Sequence, residues 1–336
     1  MDLAAGVGRG RLIIQPIGAM SMNSDEWPTG TGLDRRRFLS LLTTSAALGA
    51  LGLAPRLGAN PEKHTRPIPG SGERLPIIGM GSYITFNVGQ APALLAERTE
   101  VLRAFFAAGG GLIDSSPMYG SSEAAIGHCL QRLGTPAGLF SATKVWNWFA
   151  AQGDEQMRES RALWGIPRFD LMQVHNLLSW KDHLQTIRRD REAGLVRYIG
   201  VTTSHGRRHE ELEAVMKSEA LDFVQLTYNI LDREVEKRLL PLAADRGIAV
   251  IANRPFRRKG LIERFGRHPL PDWASEIGCD TWAQFLLKFV VSHPAVTCAI
   301  PATSRVDHMR ENMAVMRGPL PDPATRRRMI AYVETL

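Results

Sequence analysis

The chain has 336 residues, 44% of them hydrophobic, and a formal net charge of +7. That is enough for a full core in one large domain or two small ones. The basic residues are dispersed and form no Arg/Lys stripe with interleaved aromatics, which argues against nucleic-acid binding. The three cysteines, Cys129, Cys279 and Cys298, show no paired spacing and read as buried small hydrophobes rather than a disulfide framework or metal site.

The first distinctive segment is Asp34-Arg35-Arg36-Arg37-Phe38-Leu39-Ser40, followed by an apolar Ala/Leu-rich run from Leu41 to Ala54. The run is too short for a stable membrane span. A twin arginine before a modest apolar region is the bacterial address for export of folded proteins. Residues 1–59 are therefore expected to be an extended n-region, signal peptide and linker, with cleavage after Ala54 or Ala59. This implies the twin-arginine export machinery as a partner and a periplasmic or otherwise exported location. No lipobox cysteine follows the run.

From about Thr65 onward, short apolar runs alternate with amphipathic stretches. A hairpin over Pro67–Pro76 is expected to plug the bottom of a barrel. Strands are predicted near 77–81, 111–115, 139–143, 171–175, 198–202, 223–228, 248–253 and 297–301. Helices are predicted over 94–108 and 122–133, the latter with a serine cap and Glu123 in its first turn. Further helices fall near 155–165, 180–193, 207–218, 234–246, 280–292 and 304–316, with an extra one over 324–336. Eight strand-then-helix units within 60–336 argue for a (β/α)8 TIM barrel. Gly79-Met80-Gly81 lacks a third glycine and opens no helix, so a dinucleotide fingerprint is not supported.

In a parallel barrel the carboxyl ends of the strands converge on one mouth. Asp114, Tyr119, Lys144 and His175 each stand just past a short apolar run, 111–113, 139–142 or 171–174, at the carboxyl ends of predicted strands two, three and four. An acid, a phenol, an amine and an imidazole together make a proton-transfer site. Tyr119 would act as general acid, with its pKa lowered toward neutrality by Lys144. Asp114 would hold Lys144 charged, and His175 would orient a substrate oxygen.

The segments Ile113-Asp114-Ser115-Ser116, Met118-Tyr119-Gly120, Thr143-Lys144-Val145-Trp146 and Gln173-Val174-His175-Asn176 resemble the aldo/keto reductase superfamily in order and spacing. Gly200-Val201-Thr202-Thr203, Gln225-Leu226-Thr227-Tyr228-Asn229 and Ile300-Pro301 through Glu311-Asn312 extend the resemblance over roughly 66–320. It implies hydride transfer from a nicotinamide to a carbonyl carbon, with Asp114, Tyr119, Lys144 and His175 as the catalytic tetrad. It also puts Thr202, Thr203 and Gln225 on the nicotinamide carboxamide.

For the phosphates, barrels often use the loops after strands seven and eight. The first of these carries Asn253-Arg254-Pro255-Phe256-Arg257-Arg258-Lys259-Gly260, a dense cation cluster. After the eighth strand, Thr303, Ser304, Arg305, Glu311 and Asn312 are cofactor candidates. Ser304 with Asp307 resembles a capping box, and Arg305 would read a 2′-phosphate. Two departures stand out. Asn253 occupies the place of the family's nicotinamide-stacking aromatic, leaving Phe256 as a substitute. Ala302 replaces the lysine of many NADP-preferring members. NADP is the expected cofactor, with NAD open. Phe86, Trp146 and Trp148 are candidates for the substrate pocket.

The resulting expectation is a monomeric NAD(P)H-dependent reductase of an aldehyde or ketone, with a small-molecule carbonyl substrate. The alternative is a nucleotide-binding sensor or regulatory subunit on the same barrel. A metal-dependent barrel hydrolase would need histidine pairs near the first strand, where the sequence has none.

Overall fold

The computed structural model describes residues 63–336; the twin-arginine segment lies outside them. Thr65–Pro67 pairs antiparallel with Arg74–Pro76, giving the expected hairpin. Eight strands then run in strictly sequential parallel order. They are Met80–Gly81, Leu112–Asp114, Phe140–Val145, Phe169–Val174, Val196–Thr202, Phe223–Thr227, Ala249–Asn253 and Cys298–Ala299. Backbone bonds from Gly79 N to Ala299 O (2.9 Å) and from Gly81 N to Pro301 O (3.1 Å) close the ring between first and last strands. Glycine is needed at this seam. A Cβ on Gly81 would stand 2.9 Å from the Ile300 carbonyl oxygen.

Two apolar clusters explain the architecture. Leu112, Phe140, Leu171, Phe223 and Ile251 point into the bore, where Ile68 and Leu75 of the hairpin pack against them as a plug. Tyr198 hydrogen-bonds Ser71 and Glu73, tying the plug to the barrel floor. The second cluster is the outer layer between strands and helices. The alternation of side chains along each strand feeds both layers, as a barrel requires.

Most helices fall where the periodicity puts them, including Pro92–Ala107, Ser122–Leu133, Trp180–Glu192 and Pro323–Glu334. Three local expectations need correction. The helix expected over 234–246 divides into a 3-10 turn at Glu234–Glu236 and a helix at Leu239–Asp245. Pro241 explains the break, because proline lacks an amide proton and is accommodated only in a helix's first turn. Ser121, not Ser122, is the N-cap of the helix that follows the second strand, and it makes no side-chain cap. A short helix at Gly260–Phe265 and a 3-10 segment at Asp272–Ile277 fill the connection after the seventh strand, where no element was expected.

Candidate active site

The parallel register fixes the centre. Asp114 pairs with Ala142, and Lys144, two residues further along its strand, faces the same interior. Lys144 Nζ donates to Asp114 Oδ2 at 2.6 Å and to the Ser115 carbonyl at 2.7 Å. Both side chains are almost wholly buried. Asp114 Oδ1 accepts from Gln173 Nε2 (3.0 Å) and Gln225 Nε2 (2.9 Å), so the carboxylate is saturated with donors. Burial alone would lower the Lys144 ammonium, but Asp114 and the Tyr119 oxygen together leave it raised. It is therefore a fixed cation.

Tyr119 lies in a short 3-10 turn, Pro117–Tyr119, begun by Ser116, whose hydroxyl accepts from Met118 N. Lys144 Nζ sits 5.2 Å from its ring centre. The ring also meets Tyr83 and His175 edge-on, with centroids 5.0 and 5.7 Å away. The expected lowering of its pKa is not found. Burial pushes the phenol above the ordinary tyrosine value, Lys144 pulls down, and Asp114 cancels part of that pull. The phenol is consequently protonated at neutral pH, stocked as a donor rather than poised to dissociate.

His175 is held by Ser116 Oγ at its Nδ1 (2.8 Å). Its Nε2 has no protein partner among the described residues, and the side chain lines the cleft. Burial, reinforced by Lys144, depresses its pKa to about 3, so the imidazole is neutral. Stability therefore depends on pH. Between about 3 and the unfolded value of ~6.5 the unfolded chain binds the extra proton, so stability is lost as pH falls through that window. We expect His175→Gln to remove from the wild-type profile a slope of up to ~1.4 kcal/mol per pH unit there, read from urea midpoints.

Asp114, Tyr119 and His175 line the floor of a cleft of about 550 Å³ at the barrel mouth, and the buried Lys144 lies just behind it, against Asp114. Thr202, Thr203, Gln225, Arg254 and Phe256 also line it, as expected. Thr202 Oγ1 accepts from Asn176 N at 2.9 Å. Asn253 is not a vacant replacement for an aromatic. Its amide donates to the Thr203 carbonyl (2.9 Å) and Gln225 Oε1 (3.3 Å), and its oxygen accepts from Thr227 Oγ1 (2.7 Å). Arg258 crosses from the loop after the seventh strand to Tyr83, donating to its hydroxyl at 3.1 Å. Arg207, Arg254 and Lys259 add further cations to the rim. A nucleotide fits this lining, since polar amides and hydroxyls stand at its base and guanidinium groups at its rim.

Other expected residues are elsewhere. Phe86 is fully buried in the outer core and does not line the cleft. Its backbone turns back to the Ser82 carbonyl, which carries the ring inward. Trp146 and Trp148 are 43% and 72% exposed and lie outside the lining. Their loop is anchored by Gln156, Ser179 and His183 through its backbone, which turns the indoles to solvent. Thr303, Ser304, Arg305, Glu311 and Asn312 are likewise not among the lining residues. The capping box is absent, because Arg305 itself is the N-cap of Val306–Ala314 and makes no side-chain cap. Arg305 instead grips Asp307, its Nε donating at 3.0 Å. Thr303 Oγ1 accepts from Arg305 N.

Sequence reasoning missed four contributors: Gln173, Ser116, Tyr83 and Asn253 as a network member. Gln173 had a legible signal, since an uncharged amide inside a buried strand run needs an internal partner.

A proton-bearing phenol beside a locked ammonium, under a cation-rimmed cleft, defines a barrel oxidoreductase of the carbonyl-reducing kind. Residues 78–327 match the Aldo/keto reductase family, and the chain belongs to it. It is 24% identical over 247 residues to the methylglyoxal reductase YeaE of Escherichia coli, covering 72% of this chain and 86% of that one. The aldo-keto reductase YhdN of Bacillus subtilis is 29% identical over 193 residues, 52% of this chain and 56% of its own length. The fold is shared with an aldo/keto reductase from Klebsiella pneumoniae solved with NADP and acetate. That structure has a TM-score of 0.69 and 23% identity, and the match covers 81% of this chain and 95% of that one. The chain is an NAD(P)-dependent oxidoreductase.

Proposed function

We propose that this chain reduces an aldehyde or ketone with NADPH, with Tyr119 as the general acid. The observation that carries this reading is the Lys144–Asp114 pair set against the Tyr119 ring at the floor of the cleft. A bound nicotinamide supplies the hydride. His175 Nε2 and the Tyr119 hydroxyl hold the substrate oxygen, and as charge develops there the phenol gives up its proton. Lys144 stabilises the phenolate left behind. Because the free phenol is raised, the rate of reduction should fall only as pH climbs through the alkaline range where Tyr119 ionises. The YeaE likeness makes small dicarbonyls such as methylglyoxal the first substrates to assay. With Phe256 in the cleft and Asn253 in the network, a non-catalytic sensor has less to recommend it.

The NADP preference rests on the rim cations and on Arg305. Its ion pair with Asp307 is exposed and screened by solvent, so a 2′-phosphate can recruit the guanidinium at little cost. Arg305→Ala should weaken NADPH by roughly tenfold, the scale of one charge-assisted bond, and NADH by less than about twofold. Equal losses in a fluorescence titration would return Arg305 to the surface.

The export reading of residues 1–59 also belongs here, with 60–336 as the barrel domain. Arg35-Arg36 before Leu41–Ala54 supports it. A tagged full chain should fractionate to the periplasm, and one with Arg35→Lys and Arg36→Lys should stay in the cytoplasm. Cytoplasmic retention of the unaltered chain sinks the idea.

A further inference from the structure

Behind the proposed catalytic cluster lies a second carboxylate with no part in the chemistry so far. Glu123 stands in the first turn of Ser122–Leu133 and is 2% exposed. Its Oε1 accepts from Thr143 Oγ1 at 2.6 Å and Trp164 Nε1 at 3.2 Å, and its Oε2 accepts from Ser160 Oγ at 3.0 Å. Thr143 directly precedes Lys144. Ser160 and Trp164 lie one turn apart on Ala150–Trp164, the helix that follows the strand of Lys144. Glu123 thus ties that strand and its helix to the helix that follows Tyr119.

The neighbouring residue completes the arrangement. Ser122 Oγ donates to the Tyr119 carbonyl at 2.9 Å. Consecutive residues of one helical turn therefore hold the backbone of Tyr119 on one side and the strand of Lys144 on the other. The two helices approach closely: a Cβ on Gly127 would meet the Leu163 carbonyl oxygen at 1.8 Å. Burying a carboxylate at such a contact is costly unless donors saturate it. A Gln or Leu would fill the volume without that cost. Burial pushes the Glu123 carboxyl above the usual glutamate value, and the donors Thr143, Ser160 and Trp164 offset only part of that.

Resting on the reading of Tyr119 as acid and Lys144 as its cation, we propose that Glu123 is a positioning residue. It sets the separation of Tyr119 and Lys144. The test uses the full chain with NADPH and methylglyoxal, following kcat, KM, NADPH affinity and the pH profile. Glu123→Gln keeps the size but leaves a single oxygen to accept from Thr143, Ser160 and Trp164. It should lower kcat at least tenfold, with KM and NADPH affinity within about twofold. The alkaline limb should move to higher pH, because a Lys144 no longer held against Tyr119 stabilises the phenolate less. Thr143→Val should lower kcat in the same way, and Thr143→Ser should restore it, which keeps the test alive if Glu123→Gln fails to fold. Loss of thermal stability with kcat and pH limb unchanged, in whichever of these variants folds, overturns the proposal. Tyr119→Phe in the same assay separates the two ideas: if it retains activity, the catalytic reading itself is at fault.

Discussion

Tyr119→Phe should reduce carbonyl turnover by ~10²–10⁴-fold, the usual contribution of a positioned proton donor, while NADPH binding stays within about twofold. The substitution removes one oxygen and keeps the ring, so the edge-on contacts with Tyr83 and His175 persist. Ser122 and Ser116 hold this turn through its backbone, so the fold does not depend on the Tyr119 hydroxyl. The loss should therefore appear in kcat and kcat/KM together, as for an interaction made in the transition state. A variant with more than about half the wild-type rate would remove Tyr119 from the acid role. His175→Gln is the informative companion. In the proposed mechanism the neutral imidazole orients an oxygen and transfers no proton, so its loss should raise KM along with lowering kcat.

The strand order and the strand-end constellation are legible in the sequence because both arise from short-range patterns. Each barrel strand carries a short apolar stretch, and the polar residue at or just past its carboxyl end faces the mouth. That logic brings Asp114, Lys144 and His175 together without any knowledge of the helices. It stops where the decisive contacts depend on loops. Phe86, Trp146 and Trp148 are aromatics near strand ends, yet one turns into the core and two turn to solvent, as their loop backbones dictate. The direction of the Tyr119 shift runs against the sequence expectation for a related reason. Proximity to a lysine is visible in sequence, whereas the depth of burial that outweighs it is not. Arg305 fails to reach the lining because Asp307, two residues on, captures it, and spacing alone suggests a cap instead. Glu123 reads in sequence as an ordinary first-turn acid complementing a helix dipole. Its three donors come from Thr143, Ser160 and Trp164, which only the packed helices bring near.

Lys144→Met should be the most destabilising single change at the site, lowering stability by about 3–5 kcal/mol, besides abolishing turnover. Removing the ammonium strips Asp114 of its charge partner at 2.6 Å while leaving the carboxylate buried with only the amides of Gln173 and Gln225 as donors. Those amides are dipoles and replace only part of a full charge. The effect should appear as a lower urea midpoint with an unchanged slope, since the extent of unfolding is the same. Replacing both partners tells stability and chemistry apart. In Lys144→Met with Asp114→Leu no isolated charge remains, and most of the lost stability should return. Gln173 Nε2 and Gln225 Nε2 keep second acceptors, the Thr143 carbonyl and Gln173 Oε1, so their amides are not orphaned. Turnover should stay absent, because no cation remains to hold the Tyr119 phenolate. If the double variant is as unstable as the single one, the pair contributes to the fold by more than mutual neutralisation, and the network through Gln173 and Gln225 becomes the element to test next. If Lys144→Met alone retains both stability and activity, the ammonium is dispensable and the proposed stabilisation of the phenolate is wrong.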